Sequence, residues 1–259
     1  MLWGKLSKNS KGEGFVVFTT FLLAAGFVAI HLFSRYLPFL GNVPRSKLLS
    51  AAGGISVAYV FIHLLPELNK HIEILDRNIQ TEALKFFENH TYIVAMLGLA
   101  FFYGMERMAK RSKKKQQKEN NLNHASTGVF WIHITSFFLY NGLIGYLLLH
   151  GEQGSIKGLL LYFFALGVHF ITSDHSLREI HKEVYDRIGR WLLAGAIIAG
   201  WAIGIMVEVN ENIIAVLFAL LAGGIILNVM KEELPEERES NFWAFAAGMG
   251  AYTILLMLS

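Results

Sequence analysis

An all-α integral membrane protein is the fold class this sequence predicts, and three observations predict it. Hydrophobic residues fill 54% of the 259 positions and charged residues only 17%, below the roughly 25% charged residues of soluble domains. Apolar blocks of about 18 or more residues, enough to cross a hydrocarbon core about 30 Å thick, recur along the whole chain. The third observation is an echo: AAGGISVAYVFIHLLPEL (Ala51 to Leu68) returns as LAGGIILNVMKEELPEE (Leu221 to Glu237).

Eight spans follow, near 15–33, 48–68, 91–108, 128–149, 157–175, 190–208, 212–230 and 241–258. The first comes after Lys5, Lys8 and Lys11 and has the outline of a signal peptide. Its apolar run is longer than an h-region, and no small-residue cleavage site follows, so it is read as a retained helix. The second carries the Gly-Gly run and ends at Pro66-Glu67. The third leads into residues 109–126, read as a basic cytoplasmic loop. The second half of the fifth turns polar at Thr172, Ser173, Asp174 and His175; the seventh repeats the pattern of the second.

Charge orients the bundle. ERMAKRSKKKQQKENNLNH holds seven Lys and Arg, which marks it as cytoplasmic. With that segment inside, both termini lie outside, and the inner loops carry 16 of the 23 basic residues. The expected location is the cytoplasmic (inner) membrane of a bacterium. The formal charge of +3 is modest and the basic residues sit in loops, so nucleic acid is not an expected partner. The absence of cysteine excludes disulfides and thiolate metal ligands.

The echoing second and seventh spans are separated by an odd number of crossings and therefore run in opposite directions. Aligned at Gly53-Gly54 and Gly223-Gly224, their Pro-Glu endings differ by a single residue. Spans one to three and six to eight then form an inverted repeat around spans four and five, a 3+2+3 arrangement of the kind found in transporters. The competing reading is helix-packing grammar, in which small residues simply let helices approach.

AAGGISVAYVFIHLLPE, MLGLAFFYGMERM, the variable loop after it, RWLLAGAIIAGWAIG, LAGGIILNVMKEELPE and FAAGMGAYTILL together resemble, in order and spacing, the ZIP family of divalent-metal transporters. The resemblance implies an eight-helix, ZIP-like bundle whose metal chemistry lies in helices four and five, each carrying a His, an acid four residues later, and then Gly. This chain departs from that pattern. Its fourth span has Phe137 and Asn141 at the His and acid positions; its fifth keeps His169, has Ser173 for the acid, and places Asp174 where Gly is expected. The implied metal residues are therefore His169, Asp174, Asn141 and Ser173. A reduced site built on His169, Asp174 and Asn141, or no site at all, both follow.

Two further pairs stand one helical turn apart. His63 and Glu67, at the outer end of the second span, form a possible entrance; His175 and Glu179 form a possible exit. Each also reads as an ordinary interfacial or solvated pair. His31 and His133 are read as packing or hydrogen-bonding residues. The expected partners are the lipid bilayer and a divalent cation, zinc or similar, as substrate, with a homodimer left open.

Three functions compete. The first is ZIP-like transport of divalent cations through a reduced site. The second is a ZIP-fold sensor or interaction partner that transports nothing, favoured by bulky Phe137. The third, a membrane-embedded hydrolase with zinc on His63, His169, Asp174 and His175, is disfavoured because those residues lie at different depths.

Overall fold

The computed structural model describes residues 10–37, 47–70, 91–150, 156–233 and 241–258. All regular structure among them is helical: α1 Ser10–Phe33, α2 Lys47–Tyr59, α3 Thr91–Asn120, α4 Thr127–His150, α5 Ile156–His181, α6 Arg190–Met206, α7 Glu211–Glu233 and α8 Phe242–Met257. A 3-10 turn, Ser34–Tyr36, ends α1. Two π-helical segments, Val60–Leu64 and Tyr185–Gly189, extend α2 and lead into α6. With these extensions, seven helices among the described residues are long and apolar enough to cross a membrane. The eighth is shorter. α8 has 16 residues, about 24 Å at 1.5 Å per residue, and Asn241 caps its start by accepting a hydrogen bond from Ala244 N at 2.9 Å.

The basic segment is not a loop along most of its length. α3 runs unbroken through Arg107 and the lysines to Asn120, where Asn121 takes the left-handed conformation (φ 56°) that ends helices most readily at Gly or Asn. Its straight-chain Lys, Arg, Gln and Glu residues lose little rotamer freedom in a helix, and buried Ala109 packs with Ala125 and Ile180.

The chain divides into two compact units, residues 1–38 with 105–208 and residues 39–104 with 209–259. The second unit holds α2, the first half of α3, α7 and α8, and its helices meet at glycines. A methyl group on Gly54 would overlap the carbonyl oxygen of Phe245 and lie 2.7 Å from Met249 N; one on Gly248 would strike the Ala51 carbonyl. The same construction recurs between α7 and α3. There Gly223 faces the Ala95 carbonyl and Leu99 N, and Gly98 faces the Leu220 carbonyl.

The two crossings correspond residue for residue. Gly54 and Ala51 of α2 match Gly223 and Leu220 of α7, while Phe245, Gly248 and Met249 of α8 match Ala95, Gly98 and Leu99 of α3. The packing register therefore places Gly54 over Gly223, one residue from the alignment of the Gly-Gly pairs. That shift also brings Pro66-Glu67 into line with Pro235-Glu236 in the sequence; Pro235 and Glu236 lie outside the described residues. Asn241 N donates to Ser50 Oγ at 3.0 Å, so α2 and α8 start at the same end of the unit.

The first unit holds α1, the end of α3, α4, α5 and α6. α4 and α6 also cross backbone to backbone: Gly145 faces the Ile197 carbonyl, and Gly200 faces that of Gly142. α1 and α5 are held apart by side chains. Gly26 faces the ring of Phe163 at 2.6 Å and Gly167 faces Ile30 Cδ1 at 3.0 Å, distances measured from an added methyl. Phe27 packs between Phe163 and Phe170, with ring centroids 4.8 and 4.9 Å away.

Candidate functional site

The buried polar groups of the first unit gather around Asp174 on α5. Asp174 is 1% exposed, and its carboxylate accepts three kinds of hydrogen bond. His31 Nδ1 of α1 donates at 2.9 and 3.1 Å to its two oxygens. Ser34 Oγ, one turn on, donates at 2.9 Å. Tyr185 OH donates at 2.6 Å from the π-helical turn Tyr185–Gly189. π-turns of this kind often occur where a side chain must be re-aimed for function.

His31 itself has two partners. Its Nε2 faces Asn141 Oδ1 on α4 at 2.9 Å. The Asn141 amide nitrogen donates to the Phe137 carbonyl at 2.8 Å, which fixes its oxygen toward the ring. With a carboxylate on one side and an amide oxygen on the other, the imidazole donates from both nitrogens, as the imidazolium does. A cation suits this position, the last turn of α1, where the helix dipole favours positive charge. Two arginines serve the same helix end: Arg190 donates to the Leu32 carbonyl at 3.1 Å and Arg178 to that of Arg35 at 3.2 Å. Asp174, Asn141 and His31 thus form one satisfied polar chain across α5, α1 and α4.

His169 belongs to a different group. Its Nε2 is 2.7 Å from Tyr140 OH on α4 and 3.4 Å from Ser173 Oγ. Helical geometry accounts for the separation, since residues five apart on an α-helix point about 140° from each other. Asp174 faces α1, while His169 and Ser173 face Tyr140. The four residues expected as metal ligands therefore divide between two neighbouring networks. Among the described residues, no three His, Cys, Asp or Glu side chains stand together as a metal shell requires. Phe137 is buried beside His133, with ring centroids 5.2 Å apart.

The possible entrance pair takes separate partners. His63 lies in the π-helical segment Val60–Leu64, where α-helical turn spacing does not hold, and its ring lies against Tyr59 with centroids 5.3 Å apart. Buried Glu67 accepts a hydrogen bond from Lys70 at 3.2 Å. The possible exit pair does come together: His175 Nε2 lies 3.8 Å from Glu179 Oε1, within ion-pair reach but beyond a hydrogen bond. Both line a pocket of about 720 Å³ with His124, Arg178, His181, Lys182, Glu183 and Asp186. The four zinc residues of the hydrolase reading do not share a network either, since Asp174 and His169 already diverge.

Sequence reasoning read His31 as a packing or hydrogen-bonding residue and could not name its partners. Its partners lie 110 and 143 positions away, beyond any local pattern. The one available signal was Ser34, one turn along the same helix end. His133, read in the same way, does hydrogen-bond: its Nδ1 lies 3.0 Å from His181 Nε2.

No family model, curated protein or solved structure matches the chain.

Proposed function

We propose that this protein is a ZIP-like membrane transporter of divalent cations, with the cation passing through the first unit and Asp174 as its anionic ligand. The observation that carries the reading is the buried Asp174 carboxylate, fully engaged at the polar end of an apolar helix. Ionisable groups at membrane depth are expensive, and they mark ion pathways by default. Asp174, Asn141 and Ser34 offer the oxygen donors that zinc and similar ions accept. In the resting arrangement the His31 imidazolium stands in for the cation. An incoming ion takes Asp174 and Asn141 as His31 gives way.

The eight-span, 3+2+3 inverted repeat belongs to this reading. The matched glycine crossings of α2 with α8 and of α7 with α3 support it, because a repeat of span two in span seven and of span three in span eight produces that register. The bacterial inner membrane and the outside placement of both termini rest on the basic segment Arg107–Lys118.

The test is uptake of zinc, manganese, cobalt, nickel or ferrous ion into liposomes loaded with a metal-sensitive dye. Wild-type influx is expected, with loss in Asp174→Asn and a smaller reduction in His169→Ala. Absence of influx for every ion removes the transport reading. A second reading, a sensor or interaction partner that transports nothing, is favoured by one feature: buried Phe137 occupies the position of the expected fourth-helix ligand. Intact folding with no influx supports it.

A further inference from the structure

The pocket at the inner end of α5 contains histidines that neither the cation path nor the exit pair uses. His124 and His181 both line it, and a backbone hydrogen bond from Ala125 N to the Ile180 carbonyl, 3.0 Å long, ties together the residues next to them in the chain. Ser112 fastens the same strand of chain, since its Oγ accepts from Ser126 N at 2.9 Å.

Each ring presents a nitrogen with no assigned task. His124 Nδ1 lies 2.8 Å from the Ala125 carbonyl. A carbonyl only accepts, so the proton sits on Nδ1 and the lone pair on Nε2. Histidines that bind metals are oriented in this way, by a carbonyl on the other nitrogen. His181 is 1% exposed, and its Nε2 is occupied by His133 Nδ1 at 3.0 Å. Its Nδ1 is buried without a hydrogen-bond partner, the situation that native proteins otherwise avoid. Donation from His181 Nε2 to His133 leaves the lone pair on that unpartnered Nδ1. Glu179, Glu183 and Asp186 add carboxylates to the pocket wall, although Arg178 holds Asp186 at 3.0 Å.

We infer that His124 and His181 form a two-imidazole site for a divalent transition-metal ion, with His133 positioning the second ring. No third His, Cys, Asp or Glu completes a shell among the described residues, so water fills the other positions and the ion exchanges readily. Imidazole ligands select zinc, copper, nickel and cobalt over calcium and magnesium. As a binding site it is independent of the transport reading; as a station where a transported cation leaves the protein, it rests on that reading.

The experiment titrates the full-length protein in nanodiscs with Co2+, following visible absorption and stoichiometry. Wild type is expected to bind one Co2+ with imidazole coordination that His124→Ala and His181→Gln lose, with affinity falling at least tenfold, while Gly195→Ala, whose added methyl meets nothing, keeps it. His124 is half-buried on a connecting segment, so His124→Ala tests the site even where His181→Gln disturbs the core. Wild-type protein without a bound Co2+, or both variants binding as wild type does, overturns the site. Loss of liposome uptake with this Co2+ retained fails the transport reading alone.

Discussion

The two units use the same kind of glycine contact for different ends. In the second unit both crossings, α2 with α8 and α7 with α3, bring backbone against backbone at matched residues. Buried polar groups there include Ser50 and Thr91 near helix starts and Glu67 near a helix end. In the first unit, among the described residues, α4 and α6 meet in that way, and aromatic rings hold α1 and α5 apart. The space opened between α1, α4 and α5 contains His31, Asn141 and Asp174. Close backbone contact yields a rigid frame and leaves no room for ligand chemistry; a crossing spaced by side chains yields a place for polar groups, which must then satisfy one another.

The sharpest way to break this contrast is to remove the charge at its centre. Asp174→Asn strips the carboxylate from a buried ion pair and leaves the His31 imidazolium facing an amide. Breaking such a pair costs about 3–5 kcal/mol, and unfolding in detergent should show a loss of that size. Adding His31→Gln should restore part of it, since the double variant no longer buries an unpaired charge. A double-mutant cycle checks this, and strictly additive losses would remove the ion pair from the account.

The frame makes a smaller and more symmetrical prediction. Gly54→Ala and Gly223→Ala each drive a methyl into a carbonyl that cannot move aside. Overpacking of this sort costs about 1–3 kcal/mol, and the two losses should agree closely if the crossings are equivalent. Gly26→Ala should cost less, because its obstacle is the far edge of the Phe163 ring. Gly195→Ala meets nothing and gives the baseline. Unequal losses at Gly54 and Gly223, measured by thermal unfolding, would separate the two crossings.

Legibility followed the same division. Hydropathy located the seven long apolar helices among the described residues, because a membrane span is written in consecutive residues. The Gly-Gly echo set α2 beside α7, and half of each glycine crossing could be read from it. The other half, Gly98 and Gly248, stood unremarked among 24 glycines. The site was harder to read. A family resemblance drew attention to helices four and five as a place for metal ligands, and Asp174 and Asn141 there are buried. It joined Asp174 to His169, although five residues along a helix turns a side chain away. The partner that joins Asp174 to Asn141 comes from α1, and no spacing rule reaches across 143 residues.

A gain is expected at the rim of the first unit. Lys182 follows α5 with φ at 51°, a left-handed conformation that costs a side-chain-bearing residue roughly 1–2 kcal/mol. Lys182→Gly relieves that strain, and the greater freedom of glycine in the unfolded chain offsets part of the relief. A net stabilisation of about 1 kcal/mol should appear as a higher unfolding temperature. No gain would mean that contacts of the Lys182 side chain hold the turn.

The smallest effect belongs to the second unit's own charge pair, which tests the contrast from the opposite side. Glu67 is buried like Asp174, but Lys70, its partner, is 54% exposed and one turn away on the same helix. Water reaches the ammonium, so screening reduces the pair to about 0–1 kcal/mol. Glu67→Gln keeps the shape and an acceptor for Lys70, and it should shift unfolding by no more than that. Cation uptake should be unchanged, because the path is assigned to the first unit. A loss as large as that of Asp174→Asn, or abolished uptake, would mean that the second unit also carries a functional carboxylate and would make His63–Glu67 the entrance its spacing suggested.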